Sequence, residues 1–188
     1  TQVAGATVFA AVSFGVGLAA LSGGGLLLAS RAEIDATAFT PAVARGLGLA
    51  LLAGALGYVL LCALLRRPLS AFGRSVTLPR LRDAVAQLVL GVVDNAIAAA
   101  ILWILLPAGA TSYGSFVGAY AVACIAGLVS SVPGGAGVFE SAMAALLPNV
   151  DAAALAAAFL GYRLTFYILP LILAFLALAI DSFRHRGR

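Results

Sequence analysis

The chain has 188 residues, of which 63% are hydrophobic and only 10% charged, with a formal net charge of +4. A soluble domain carries about a quarter charged residues, so this composition, with a mean hydropathy of +1.12, excludes a water-solvated globule. It predicts an all-α, polytopic membrane helical bundle.

In chain order, the first apolar run is Val3 to Leu28, read as interrupted at Gly23, Gly24 and Gly25. No basic segment precedes it and the chain opens on Thr1, which argues against a signal peptide and for a piece of a longer protein. A polar stretch with Arg31, Glu33, Asp35, Thr40 and Pro41 separates it from the second run, Ala44 to Leu65. Next comes RRPLSAFGRSVTLPRLRD, where Arg66, Arg67, Arg74, Arg80 and Arg82 face a single acid, Asp83. The third run, Ala84 to Leu106, carries Gln87, Asp94 and Asn95, and an uncharged loop leads to the fourth, Ser115 to Val132. A glycine-rich break, a short helix from Val138 to Leu147 and the last run, Ala152 to Ile180, follow. The tail carries Arg184, Arg186 and Arg188.

Arginine-rich loops stay on the cytoplasmic side. That rule places 66–82 and the tail inside and the loops at 29–45 and 107–114 outside. If the last run crosses once, the segment from Ser115 to Asp151 must enter from outside and return there, as a re-entrant hairpin broken near mid-depth. The alternative makes 115–132 a full span and breaks the last run near Arg163 and Pro170, with the glycine motif nearer the inner face.

The break itself reads SSVPGGAGVFESAMAALLP. Unpaired backbone groups cost several kcal/mol against lipid, so a segment with Pro133, Gly134, Gly135 and Gly137 at membrane depth is expected to line protein or a wet cavity. Glu140 follows at once. It either dresses the new helix start, complementing the dipole, or meets a cationic group of a ligand whose anion is held by the loop amides. Arg163 either neutralises Glu140 or Asp94 or clamps a phosphate with its planar fork; Tyr162, Thr165 and Tyr167 flank it. Asn95 reads as a helix–helix hydrogen bond, and Asp94 as a second carboxylate for an amine or for Arg163. A charge at mid-bilayer costs roughly 2.5–3.5 kcal/mol even on lenient scales, which makes all three ionisable residues functional candidates.

Cys62 and Cys124 read as small buried hydrophobes, and His185 as a solvated tail residue. No metal-ligand cluster, catalytic triad or nucleotide phosphate loop is legible. No cofactor is implied, and catalysis within the segment is not expected. Small residues around Gly54 and Gly57 permit close helix packing.

Taken together, SSVPGGAGVFESAMAALLP, YRLTFYILPLILA and VVDNAIAAAILWILLP resemble the membrane region of the multiple peptide resistance factor family, bacterial lysyl- or alanyl-phosphatidylglycerol synthases that also flip their product. The resemblance implies that residues 1–188 are the later half of a transmembrane flippase domain in the bacterial cytoplasmic membrane. It implies earlier membrane helices before Thr1 and a cytosolic aminoacyltransferase domain after Arg188. The substrate would be an aminoacylated phosphatidylglycerol moved from the inner to the outer leaflet, conferring resistance to cationic antimicrobial peptides. The headgroup site would comprise Pro133, Gly134, Gly135, Gly137, Glu140, Arg163, Asp94, Asn95, Tyr162 and Tyr167. A homo-oligomer is compatible and nucleic acid is not a partner. Two rivals stand beside this reading: a membrane scaffold for the synthase, and a transporter of another amphiphile or ion.

Overall fold

The structure is a computed structural model that describes the backbone of residues 2–65, 69–71, 74–76 and 78–186, and the side chains of 7–65 and 78–182. Arg66, Arg67 and Arg188 of the expected inner arginines lie outside the described residues, as do the side chains of Arg74, Arg184, His185 and Arg186.

The fold is an all-α membrane bundle. Its helices are α1 (Gln2–Leu28), α2 (Arg31–Asp35), α3 (Pro41–Leu64), α4 (Leu81–Ile104), α5 (Tyr113–Val129), α6 (Val138–Leu146), α7 (Ala152–Arg163) and α8 (Leu169–Arg186). A 3-10 turn, Pro133–Gly135, stands between α5 and α6, and a π-helical segment, Leu164–Ile168, joins α7 to α8. A small antiparallel ribbon, β1 (Leu69–Ala71) with β2 (Arg74–Val76), lies within the basic loop and pairs Ser70 with Ser75. Among the described residues, Thr7–Leu28, Pro41–Leu64, Leu81–Ile104 and Ala152–Ser182 are long and apolar enough to cross a membrane.

Glycines in α1 do not interrupt it. The helix runs through Gly23, Gly24 and Gly25, and close neighbours use the missing side chains of Gly23 and Gly25. A Cβ at Gly23 would lie 2.8 Å from the Gly48 carbonyl oxygen on α3, and one at Gly25 would lie 3.0 Å from the Gly114 carbonyl oxygen on α5. The tightest crossing is with α4, where a Cβ on Gly91 would sit 1.8 Å from the Ser13 carbonyl oxygen. Lipid offers helices little hydrophobic drive to associate, so backbone proximity and van der Waals contact hold them together. Gly54 and Gly57, by contrast, face open space.

The polar stretch after α1 forms a short helix, α2, where its composition suggests only a loop. Ser30 and Glu33 close a capping box at its start, with the Glu33 carboxylate accepting from the Ser30 amide at 2.6 Å. Hydrogen bonding from Ser112, and then from Ser30, holds the Glu33 carboxyl below its ordinary pKa.

This corner fixes the path of the chain. The Ser115 hydroxyl, at the start of α5, donates to the Glu33 carbonyl at 3.1 Å. At the end of α6 the Leu146 carbonyl accepts from the Ala38 amide at 3.1 Å, and the Asn149 side chain donates to the Ala36 carbonyl at 3.2 Å. The segment therefore leaves from the 30–39 corner and returns to it, which is the hairpin path. Its arms are unequal: α5 has 17 residues and α6 nine, about 25 and 14 Å at helical rise. The returning arm alone covers about half of a ~30 Å core. The last apolar run is also irregular, at the π segment between Arg163 and Pro170.

Candidate functional site

The site begins where α5 ends. The Ser130 hydroxyl donates to the Gly127 carbonyl at 2.7 Å and accepts from the Val132 amide at 3.3 Å, closing off the helix. Ser131 is left in the left-handed region at φ 56°, a conformation that costs a residue with a Cβ about 1–2 kcal/mol. Pro133 opens the 3-10 turn, whose Gly135 amide donates to the Val132 carbonyl at 2.9 Å. Gly134, Gly135 and Gly137 all have positive φ, at 64°, 60° and 83°. Gly135 also lies against Gly127 of α5, where a Cβ would come within 3.2 Å of the Gly127 Cα. The loop thus folds back on the last turn of α5, and only glycine allows it there.

Glu140 stands in the first turn of α6. One carboxylate oxygen accepts from the Gly137 amide at 2.7 Å. The other accepts from Arg163 Nε at 2.8 Å and from its terminal Nη2, forming an ion pair across to α7. Both structural roles open to the acid are realised together: it caps the helix and it neutralises the arginine. The pair is not sealed, since the side chains remain 22% and 34% exposed for Glu140 and Arg163.

What they face is a cavity of about 330 Å³ between α5, the glycine loop, α6, α7 and the π segment. Gly134, Gly135, Glu140, Tyr162, Arg163 and Tyr167 of the expected set line it. Pro133 and Gly137 belong to the same loop without lining it. The opposite wall, Tyr120 and Cys124 of α5 with Phe139 and Phe159, is not among the residues expected from the sequence. Tyr120 and Phe139 meet edge to face at 5.7 Å, and Phe139 meets Phe159 at 6.0 Å. A signal for this wall exists in the sequence: Phe116, Tyr120, Cys124 and Gly127 recur at helical spacing on one face of α5. Both cysteines are free, Cys62 buried and Cys124 half-buried.

The π segment has a physical cause. Pro170 has no amide and its ring crowds the preceding turn. The ladder widens there, and the Leu169 amide reaches back to the Leu164 carbonyl. The Thr165 hydroxyl donates to the Gly161 carbonyl at 2.8 Å. Arg163 immediately precedes this bulge and Tyr167 lies within it.

Asp94 and Asn95 do not line the cavity, contrary to expectation. Asn95 is fully buried in the α1–α4 crossing, where its amide donates to the carbonyls of Phe14 at 3.1 Å and Gly91 at 2.8 Å. Its side-chain oxygen is buried without a partner among the described residues. Asn95 therefore serves helix association. Asp94 is exposed on α4.

No family model matches the sequence. The chain is similar to the uncharacterized protein slr0712 of Synechocystis sp., at 35% identity over 190 aligned positions that cover 98% of this chain and 58% of that protein. It is also similar to the inner membrane protein YbhN of Escherichia coli, at 34% identity over 133 positions covering 69% of this chain and 42% of that protein. The chain thus spans less than two thirds of the length of either curated relative. Apolar spanning helices and similarity to an inner membrane protein agree: this is a multi-pass membrane protein.

Proposed function

We propose that this bundle handles a phospholipid headgroup, taking its phosphate at Arg163 within the cavity while the acyl chains stay in lipid. The observation that carries the reading is the incompletely buried Glu140–Arg163 pair facing a 330 Å³ cavity beside a broken helix. Arg163 lies twelve residues beyond the Asp151 cap of α7, about 18 Å along the helix, well inside a ~30 Å hydrocarbon core. Ionisable groups at that depth serve a substrate path more often than stability, and a guanidinium fork suits phosphate oxygens. The resemblance to the multiple peptide resistance factor family supports the same chemistry. In that reading the lipid is an aminoacylated phosphatidylglycerol, the location is the bacterial inner membrane, and a synthase domain belongs to the same polypeptide.

The test is lipid translocation by the full-length protein in proteoliposomes, followed with fluorescent phosphatidylglycerol and an impermeant quencher. Arg163→Ala is expected to lower the rate at least about tenfold, the loss of one charge-assisted contact. An unchanged rate at normal expression sinks the reading.

A scaffold reading is favoured by one observation, the mutual neutralisation of Glu140 and Arg163. A scaffold predicts that unrelated spanning helices replace the segment without loss, whereas a lipid path does not.

A further inference from the structure

Resting on the assignment of Arg163 to a phosphate, we propose that Glu140 is a built-in competitor that holds the anion site closed until a phosphate-bearing ligand displaces it. The case lies in the atoms that the carboxylate occupies. An anion entering this cavity meets the Arg163 guanidinium, and the Gly137 amide at the start of α6 stands just behind the cavity wall. Glu140 binds both. One oxygen binds Nε and Nη2 of Arg163, and the other binds the Gly137 amide at 2.7 Å. A carboxylate bridging a guanidinium and a helix-start amide stands where two oxygens of a tetrahedral phosphate would stand.

The latch is local and movable. Glu140 is anchored only through its own side chain, the cavity beside it has space, and rotation about its side-chain bonds carries the carboxylate off Arg163 without moving α6. It also explains why a carboxylate is tolerated at this depth: with the site empty, an unpaired Arg163 would be the costlier state. Once a phosphate arrives, Arg163 exchanges one anion for another. Arg163 stays neutralised, while the released Glu140 carboxylate adds its own negative charge to the site and is left to water or to a cationic group on the ligand. The ligand class is therefore a phosphate anion, either the phosphodiester or phosphomonoester of a lipid headgroup or free phosphate.

Glu140→Gln separates the latch from the fold. Glutamine at this position still accepts from the Gly137 amide, as in a Gln-type capping box, but no longer pairs with a cation. Binding is measured on the full-length protein in neutral detergent with short-chain phosphatidylglycerol and, separately, with inorganic phosphate. The expected result is tighter binding by about tenfold in Glu140→Gln, from removal of a charged internal competitor, and loss of binding in Arg163→Gln and in the double variant. The same gain with inorganic phosphate supports the latch and assigns the site to free phosphate; a gain confined to the lipid supports it and assigns the headgroup. If wild type binds, Arg163→Gln does not, and Glu140→Gln is unchanged or weaker, the latch is overturned while the phosphate site stands. If Arg163→Gln binds like wild type, or neither wild type nor Glu140→Gln binds, the phosphate site fails and the latch with it. Arg163→Lys, which keeps charge but not the fork, is expected to retain weakened binding and guards against misfolding of the glutamine variant.

Discussion

At the scale of single residues, the site depends on backbone angles more than on side-chain volume. Gly134 and Gly135 share a left-handed conformation, but a Cβ on Gly134 meets nothing within 4 Å, whereas one on Gly135 presses on Gly127. Gly134→Ala should therefore cost the conformational strain alone, about 1–2 kcal/mol. Gly135→Ala should cost more and also pry the loop from α5, read as a lower thermal midpoint in detergent and a changed cavity. Equal midpoints for the two variants would show that the Gly127 contact is unimportant. Ser131 is the informative exception, a residue with a Cβ held at φ 56° on the cavity wall. The need for glycine at 134, 135 and 137 was legible in the sequence, because helix breakers clustered inside an apolar run demand a bend that lipid does not tolerate unshielded. The strain at Ser131 was not, because serine carries no mark of its backbone angle.

Between helices, packing is set by which glycines meet a neighbour. Gly91 lies backbone to backbone against Ser13 and Gly17, whereas Gly54 has open space around it. Gly91→Ala should force α1 and α4 apart at about 1–3 kcal/mol, while Gly54→Ala should be neutral or stabilise α3 by up to about 1 kcal/mol through helix propensity. Chemical denaturation of the two variants side by side checks the ordering, and a tolerant Gly91 would contradict the crossing. These glycines cannot be ranked from sequence, since all sit in apolar runs of the same character. The helix–helix hydrogen bond expected of Asn95 is present; its place in the headgroup set was the ambiguous part, because from position alone a polar residue beside Asp94 reads as a ligand as readily as a helix clamp. Partners on α1, 81 residues away for Phe14, decide between them.

For the molecule as a whole, hydropathy and parity were enough to find the spans and the return of 115–151, because lipid restricts the backbone to a few choices. The unequal arms were legible too, since the runs 115–132 and 138–147 already differ in length in the sequence. The hairpin makes a direct prediction about sidedness. In a background of Cys62→Ser and Cys124→Ser, cysteines at Ala38 and Asn149 should react with an impermeant thiol reagent from the same face, and one at Ser70 from the other. Labelling of Ala38→Cys and Asn149→Cys from opposite faces would require 115–151 to cross fully.

The π segment acts as a phase shifter. One additional residue in a turn rotates everything beyond it by about 100°, so the stripe of α7 that enters the bundle through Leu155, Ala158, Phe159 and Tyr162 is not carried on in line along α8, of whose described residues none is buried. Arg163 and Tyr167 sit at the seam, aimed inward by the first half of the helix while the second half is free to take its own azimuth in the bilayer. Deleting one residue between 164 and 168 would bring the two halves into register, turning a new side of α8 toward the cavity mouth.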